Sequence, residues 1–188
     1  LKTSKQKIFS KKTEKKGLII VNTGTGKGKS TAGFGMVFRG IAHGMPCAVV
    51  QFIKGAMATG ERDLIQHHFH ELCEFHTLGD GFTWDTQDKE KDIASAKKAW
   101  SKAKELISDK KKKIILLDEI NIALRYGYVE IDDVITFLLE KKPKMTHVIL
   151  TGRNANEKLI GIADLVTDMT LVKHHFRNGV MSQAGIEF

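Results

Sequence analysis

The chain is predicted to fold as an α/β domain, a mainly parallel β-sheet with helices on both faces. Three observations predict it. From Gly17 onward, short apolar runs alternate with segments of helical period, the pattern of successive strand-helix units. A glycine-rich loop stands between the first apolar run and a helix-period segment. The 188 residues, 41% hydrophobic and 28% charged, match one ordinary globular domain and exclude collagen-like, mucin-like and wholly disordered classes.

The first strand is read over 18–23, where the apolar run Leu18 to Val21 ends at turn residues. The loop follows, then a helix running to about His43. Strands are predicted near 47–53 and 73–77. The strongest helix is predicted over 87–107, because Ile93, Ala96, Trp100, Ala103 and Ile107 fall on one face, with Asp85 or Thr86 as its cap. Lys110 to Lys113 reads as a solvated turn into a buried strand at 114–118. Further strands are predicted near 147–151 and 165–171. Pro46 and Pro143 fall at element boundaries, and no internal repeat is present.

The net charge of +8 is concentrated at one end. Lys2, Lys5, Lys7, Lys11, Lys12, Lys15 and Lys16 stand against Glu14 alone, so residues 1–16 carry +6 and the body +2. This predicts a flexible basic arm over 1–16 on a domain of 17–188. The near-neutral body speaks against a nucleic-acid partner. Cys47 and Cys73 are far apart and form no C-x-x-C pair, which fits a reducing compartment. Apolar runs too short for a membrane span or a signal sequence make the cytoplasm the expected location, with no membrane partner.

The chemistry is concentrated in Gly24-Thr25-Gly26-Lys27-Gly28-Lys29-Ser30-Thr31. Glycines let backbone N–H groups turn inward toward phosphate oxygens, and the helix that follows adds its positive N-terminal end. Lys29 supplies charge and Ser30 a magnesium ligand, as in a P-loop. Two departures argue against a dinucleotide-binding site: its third glycine would fall where Lys29 stands, and no acid ends the next strand, where Gln51 and Lys54 stand. The loop is one residue shorter than a standard P-loop, whose first glycine would fall at Thr23. That shortening argues against simple γ-phosphoryl transfer. Downstream, Ile114-Ile115-Leu116-Leu117-Asp118-Glu119 has the form of a Walker B strand and completes a magnesium nucleotide site. The fold class is accordingly α/β, P-loop NTPase-like (RecA-like).

These segments, together with Val50 to Gly55, Gly60-Glu61-Arg62, Gly81-Phe82-Thr83-Trp84-Asp85-Thr86-Gln87, Thr151-Gly152-Arg153 and Val172-Lys173-His174, resemble the ATP:corrinoid adenosyltransferases of the cobalamin pathway, the CobA type. The resemblance runs from about Gly17 to Phe188, and Thr25 stands where the family more often has Asn. It implies transfer of the 5′-deoxyadenosyl group of ATP to cobalt of a Co(I) corrinoid, with triphosphate released, in cobalamin biosynthesis or salvage. The family holds its nucleotide in reversed polarity, which the shortened loop fits. By carry-over, Gly24 through Thr31 bind ATP, Lys29 and Glu119 are catalytic, and Ser30, Asp118 and Glu119 hold Mg²⁺. Arg153 and Lys54 are candidates for nucleotide contact or plain strand-end charges. Phe82 and Trp84 are expected to pack beneath the corrinoid, displacing its axial ligand so that an external reduced flavin on a flavoprotein can deliver an electron. A homodimer is also expected.

Two rival readings make different predictions. A small P-loop kinase or ATPase would yield ADP and need neither Phe82 nor Trp84. A nucleic-acid module would lose salt-sensitive binding with residues 1–16. His67, His68, His70, Cys73 and His76 have ligand types that suit zinc, in a spacing that matches no standard site.

Overall fold

The structure, a computed structural model, describes residues 14–53, 59–78 and 89–187. Among these, the strands Ile19–Thr23 (β1), Cys47–Gln51 (β2), Cys73–Thr77 (β3), Ile114–Asp118 (β4), His147–Thr151 (β5) and Leu165–Asp168 (β6) form one sheet in the order β3-β2-β4-β5-β1-β6. Every neighbouring pair is parallel. The connections carry helices Lys29–Ala42 (α1), Gly60–His68 (α2), Lys89–Ser108 (α3), Ile120–Arg125 (α4), Ile131–Glu140 (α5) and Glu157–Ile162 (α6). This is the predicted α/β architecture.

Strand periodicity explains the two layers. Successive side chains alternate between faces, so a strand buried on both sides must be apolar throughout. Ile19, Val21, Ala48, Val50, Ile115, Leu117, Val148 and Leu150 point into one core, against Ala96, Ala99, Trp100, Ala103, Leu106 and Ile107 of α3 and Leu138 and Leu159 of α5 and α6. Ile20, Val49, Ile114, Leu116 and Ile149 point into the other, against Phe34, Val37 and Ile41 of α1 and Ile65 of α2. Each fully buried aliphatic side chain contributes roughly 1.5–3 kcal/mol. Together they make the sheet a rigid platform whose carboxyl ends carry the polar residues.

Several expectations are corrected. The second strand stops at Gln51 and the last at Asp168. After Asp168 the backbone turns to serve the glycine-rich loop: the Met169 N–H donates to Thr23 O (2.9 Å) and the Gly26 N–H to Met169 O (2.6 Å). β6 is an exposed edge strand throughout. The long helix is described over Lys89–Ser108, one residue beyond its predicted end, and residues 85–88, with the expected caps Asp85 and Thr86, lie outside the described residues. Lys112 is no solvated residue, being 9% exposed and ion-paired with Glu74 of β3. Lys16 of the basic arm is ion-paired with Asp164, which also accepts from the Ile19 N–H at 2.9 Å. Residues 1–13 lie outside the description.

Cys47 and Cys73, remote in sequence, are register partners on β2 and β3. Both are buried free thiols, and burial pushes them up to about 11 and about 12 respectively, which suppresses the reactive thiolate. The histidine cluster is not gathered. His67 Nδ1 is hydrogen-bonded to Asp63 O, and His76 Nε2 pairs with Glu74. Among the described residues no group of three or more His, Cys, Asp or Glu side chains is placed to hold a metal ion.

Candidate active site

The carboxyl ends of β1, β4 and β5 lie side by side, because β5 pairs with both of the others. Ligands of open parallel sheets bind at that edge. The loop after β1 needs glycine at its first position. Gly24 has φ +101°, and a Cβ there would sit 2.3 Å from Asp168 Oδ1 and 2.6 Å from Met169 N. Gly24→Ala is therefore expected to cost about 2–4 kcal/mol from backbone strain and overpacking together. A urea unfolding midpoint unchanged from the parent would refute this account of the loop.

Gly28, also left-handed at φ 103°, caps α1 without a side-chain hydrogen bond, and the first turn of α1 holds no acidic residue. The positive end of the helix is thus left to an external anion. Lys29 opens α1 and is only 6% exposed, its Nζ donating to Gly26 O across the loop. Burial lowers its pKa, a shift that the Glu119 carboxylate opposes and that the Arg153 and Lys27 charges reinforce. Ser30 is half-buried, while Thr25, Lys27 and Thr31 are exposed. Lys27 is ion-paired with Glu187 (2.9 Å), which also meets His175 Nε2 (3.1 Å), so the end of the chain folds back over the loop.

The acids after β4 differ sharply in environment. Asp118 is buried and fully tied: Thr151 Oγ donates to Oδ1 (2.8 Å) and Gln51 Nε2 to Oδ2 (3.2 Å). Glu119 has the left-handed backbone φ 60°, ψ 20°, uncommon for a residue with a side chain. Its N–H donates to Thr151 Oγ at 3.0 Å. Among the described residues, its Oε2 is buried without a hydrogen-bond partner. Burial raises the Glu119 pKa to about 7, helped by the neighbouring Asp118 carboxylate and opposed by Lys29 and Arg153. Gly152 closes the wall: its φ is +126°, and a Cβ would stand 3.0 Å from Glu119 Oε2. Asn121 Nδ2 donates to Gly152 O at 3.1 Å.

The fold therefore brings Gly24 to Thr31, Asp118, Glu119 and Arg153 to one edge, with Lys29, Glu119 and Arg153 close enough for their charges to act on one another. Lys54, Phe82 and Trp84 lie outside the described residues. Asn121 and the carboxylate-binding roles of Thr151 and Gln51 were not anticipated from the sequence. One signal was available: Gln51, Asp118 and Thr151 are each the polar residue that closes an apolar strand.

The profile of the family described as ATP:corrinoid adenosyltransferase BtuR/CobO/CobP matches residues 15–188. A corrinoid adenosyltransferase of Sinorhizobium sp. is 67% identical, covering 100% of this chain and 87% of its own. Those of Pseudomonas aeruginosa and Escherichia coli K12 are 47% and 41% identical, each over 93% of this chain and over 85% and 87% of theirs. A solved KaiC-like protein of Pyrococcus horikoshii is 19% identical, with a TM-score of 0.47 over 83% of this chain and 73% of its own. The quoted motifs stand within the matched span, and on that match and those identities the chain belongs to the ATP:corrinoid adenosyltransferase family.

Proposed function

We propose that the chain carries out the transfer its family performs, moving the 5′-deoxyadenosyl group of ATP to cobalt of a Co(I) corrinoid with release of triphosphate, and that Lys29 and Glu119 make the triphosphate a leaving group. The observation that carries this reading is a buried Lys29 at the start of an uncapped helix, within electrostatic reach of a half-buried Glu119 whose Oε2 is buried and unpartnered. Attack at C5′ breaks the C5′–O bond, and its electron pair stays on the triphosphate oxygen. The chain's task is to stabilise that charge. Loop N–H groups and the α1 N-terminus would hold the phosphates, and Lys29 would place its ammonium against them.

Of the three residues the sequence offers for Mg²⁺, Ser30 and Glu119 would hold the ion, the buried unpartnered Oε2 of Glu119 fitting a cation ligand, while Asp118, tied on both oxygens to Thr151 and Gln51, would support them from behind. When bound, the ion neutralises phosphate charge as a Lewis acid. Thr25, Lys27, Thr31, Arg153 and Lys54 are further candidates for ATP contact, Lys27 being free to exchange Glu187 for a phosphate. Phe82 and Trp84 would pack under the macrocycle and remove the axial ligand of Co(II), so that a reduced flavoprotein can deliver the electron. Exposed Leu165, Val166, Phe176, Met181 and Ile186 support a homodimer. The buried thiols of Cys47 and Cys73 support a reducing, cytoplasmic setting, and among the described residues no helix is long and apolar enough to cross a membrane.

The test is an anaerobic assay with ATP, Mg²⁺ and Co(I) corrinoid, followed by the absorbance of the Co–C bond and by identification of the phosphate product. Adenosylated corrinoid with intact triphosphate is expected; ADP without alkylation would overturn the reading. Phe82→Ala and Trp84→Ala are expected to slow the reaction from Co(II) at least about tenfold more than from prereduced Co(I), because only the first needs the axial ligand removed. Equal losses from both starting states would count against that role.

A further inference from the structure

Four adjacent strands end in a single hydrogen-bonded chain. At the tip of β3, Thr77 Oγ donates to Gln51 Oε1 of β2 at 3.4 Å. Gln51 Nε2 donates to Asp118 Oδ2 of β4 at 3.2 Å, and Thr151 Oγ of β5 donates to Asp118 Oδ1 at 2.8 Å. The chain then leaves the sheet, since Thr151 Oγ accepts the Glu119 N–H at 3.0 Å. Thr151 is fully buried, and Gln51 and Asp118 are nearly so.

Proton bookkeeping leaves one arrangement. A backbone N–H can only donate, so Thr151 Oγ turns its lone pairs toward Glu119 and its single hydroxyl proton toward Asp118 Oδ1. The Glu119 N–H is thereby paired in a backbone conformation, φ 60°, that an L-residue seldom adopts without support. The side chain of Glu119 leaves the sheet from that conformation and ends in the unpartnered Oε2 beside Gly152.

From this geometry we infer that Thr151 is a positioning residue, which through Asp118 and Gln51 holds the Glu119 backbone in its left-handed turn and so aims the Glu119 carboxylate at the nucleotide. The inference rests on the reading of Glu119 given above. It adds a division of labour between the two acids. Asp118, tied on both oxygens, is the hub of the support, and Glu119 is the acid that is presented.

The experiment is a double-mutant cycle. Thr151→Val keeps the shape and deletes the hydroxyl; Thr151→Ser keeps the hydroxyl. Thr151→Val is expected to retain a cooperative thermal transition yet lose about 10- to 100-fold in kcat, the scale seen when a supporting partner of a ligand is removed. KM for the corrinoid should stay unchanged. Affinity for Mn²⁺-ATP, read by electron paramagnetic resonance without corrinoid, should weaken about tenfold or more. Thr151→Ser should recover most of both losses. If Thr151 acts through Glu119, Thr151→Val adds nothing to Glu119→Gln.

Additive losses, or a Thr151→Ser as poor as Thr151→Val, would overturn the inference. Should Thr151→Val fail to fold, Gln51→Met removes the other donor to Asp118, with a smaller expected loss that likewise vanishes in the Glu119→Gln background. The two readings fail separately. A fully active Glu119→Gln removes the role of Glu119 itself, whereas an inactive Glu119→Gln beside a fully active Thr151→Val removes only the positioning role.

Discussion

Lys29→Ala is expected to lower adenosyl transfer by about 100- to 1000-fold, the range measured when one charge-stabilising donor is removed from a reacting oxyanion. The side chain has two attachments that make this so. Its ammonium sits within the loop, donating to Gly26 O, and it lies in the electrostatic reach of Glu119. Removing it takes away both the local charge and the strut across the loop. The fold should survive, because burying Lys29 is itself costly, as its lowered pKa records. Circular dichroism should therefore match the parent while anaerobic turnover with Co(I) corrinoid collapses. Turnover within threefold of the parent would end the assignment of Gly24 to Thr31 as the triphosphate site.

Glu119→Gln is expected to do two opposite things. Transfer should fall by about 100-fold or more if Glu119 is the carboxylate presented to the metal and phosphates. Stability should rise, but only at high pH. The Glu119 pKa in the folded chain is raised to about 7 from an ordinary 4.5, by burial first and by Asp118 second. An acid whose folded pKa lies above its unfolded pKa takes up a proton on folding between the two. Its contribution is therefore neutral below about pH 4.5, becomes unfavourable as pH rises toward 7, and stays so above. At one pKa unit per 1.36 kcal/mol, the penalty at pH 8 is on the order of 3 kcal/mol. For a chain of this size that corresponds to a rise in Tm of roughly 5–10 °C for Glu119→Gln at pH 8, and a small one at pH 5. Thermal melts without nucleotide or Mg²⁺ measure it directly. A variant no more stable than its parent at pH 8 would mean that Glu119 carries no burial penalty.

The combination is informative because the two effects have one cause. A buried carboxylate with an unpartnered oxygen destabilises the empty protein and is ready to meet a cation or a phosphate-bound metal. Thr151 and Gln51 would then serve to keep that poorly satisfied group in place. A tied Asp118 beside a presented Glu119 gives two adjacent acids distinct tasks through environment alone.

What could be read from the linear chain was whatever depends on neighbours in sequence. Strands 114–118 and 147–151 fall where their apolar runs predict, because a strand covered on both faces must be apolar nearly from end to end, and the edge strand 73–77 also falls where it was read although Glu74 and His76 interrupt it. The glycine-rich loop was legible for a similar reason: positive φ values at Gly24 and Gly28 and close backbone approach at Gly24 and Gly26 admit little but glycine, so the conformation is written in the residue types. Asp118 and Glu119 announced themselves as acids closing an apolar strand.

Strand order and everything that follows from it belonged to the tertiary structure. No local pattern places β5 between β1 and β4, yet that order is what sets Thr151 against Asp118 and Glu119. Nor could the sequence show that Cys47 and Cys73 face each other, that Lys112 reaches Glu74, or that the backbone of 168–169 leaves β6 to support the loop. Each joins residues far apart along the chain through hydrogen bonds or charges that act only over a few ångströms. Residue types along the chain settle which positions carry charge, which carry glycine freedom and which strands are buried. The packing of six parallel strands decided which of those residues meet, because the sheet order alone sets which carboxyl ends are neighbours.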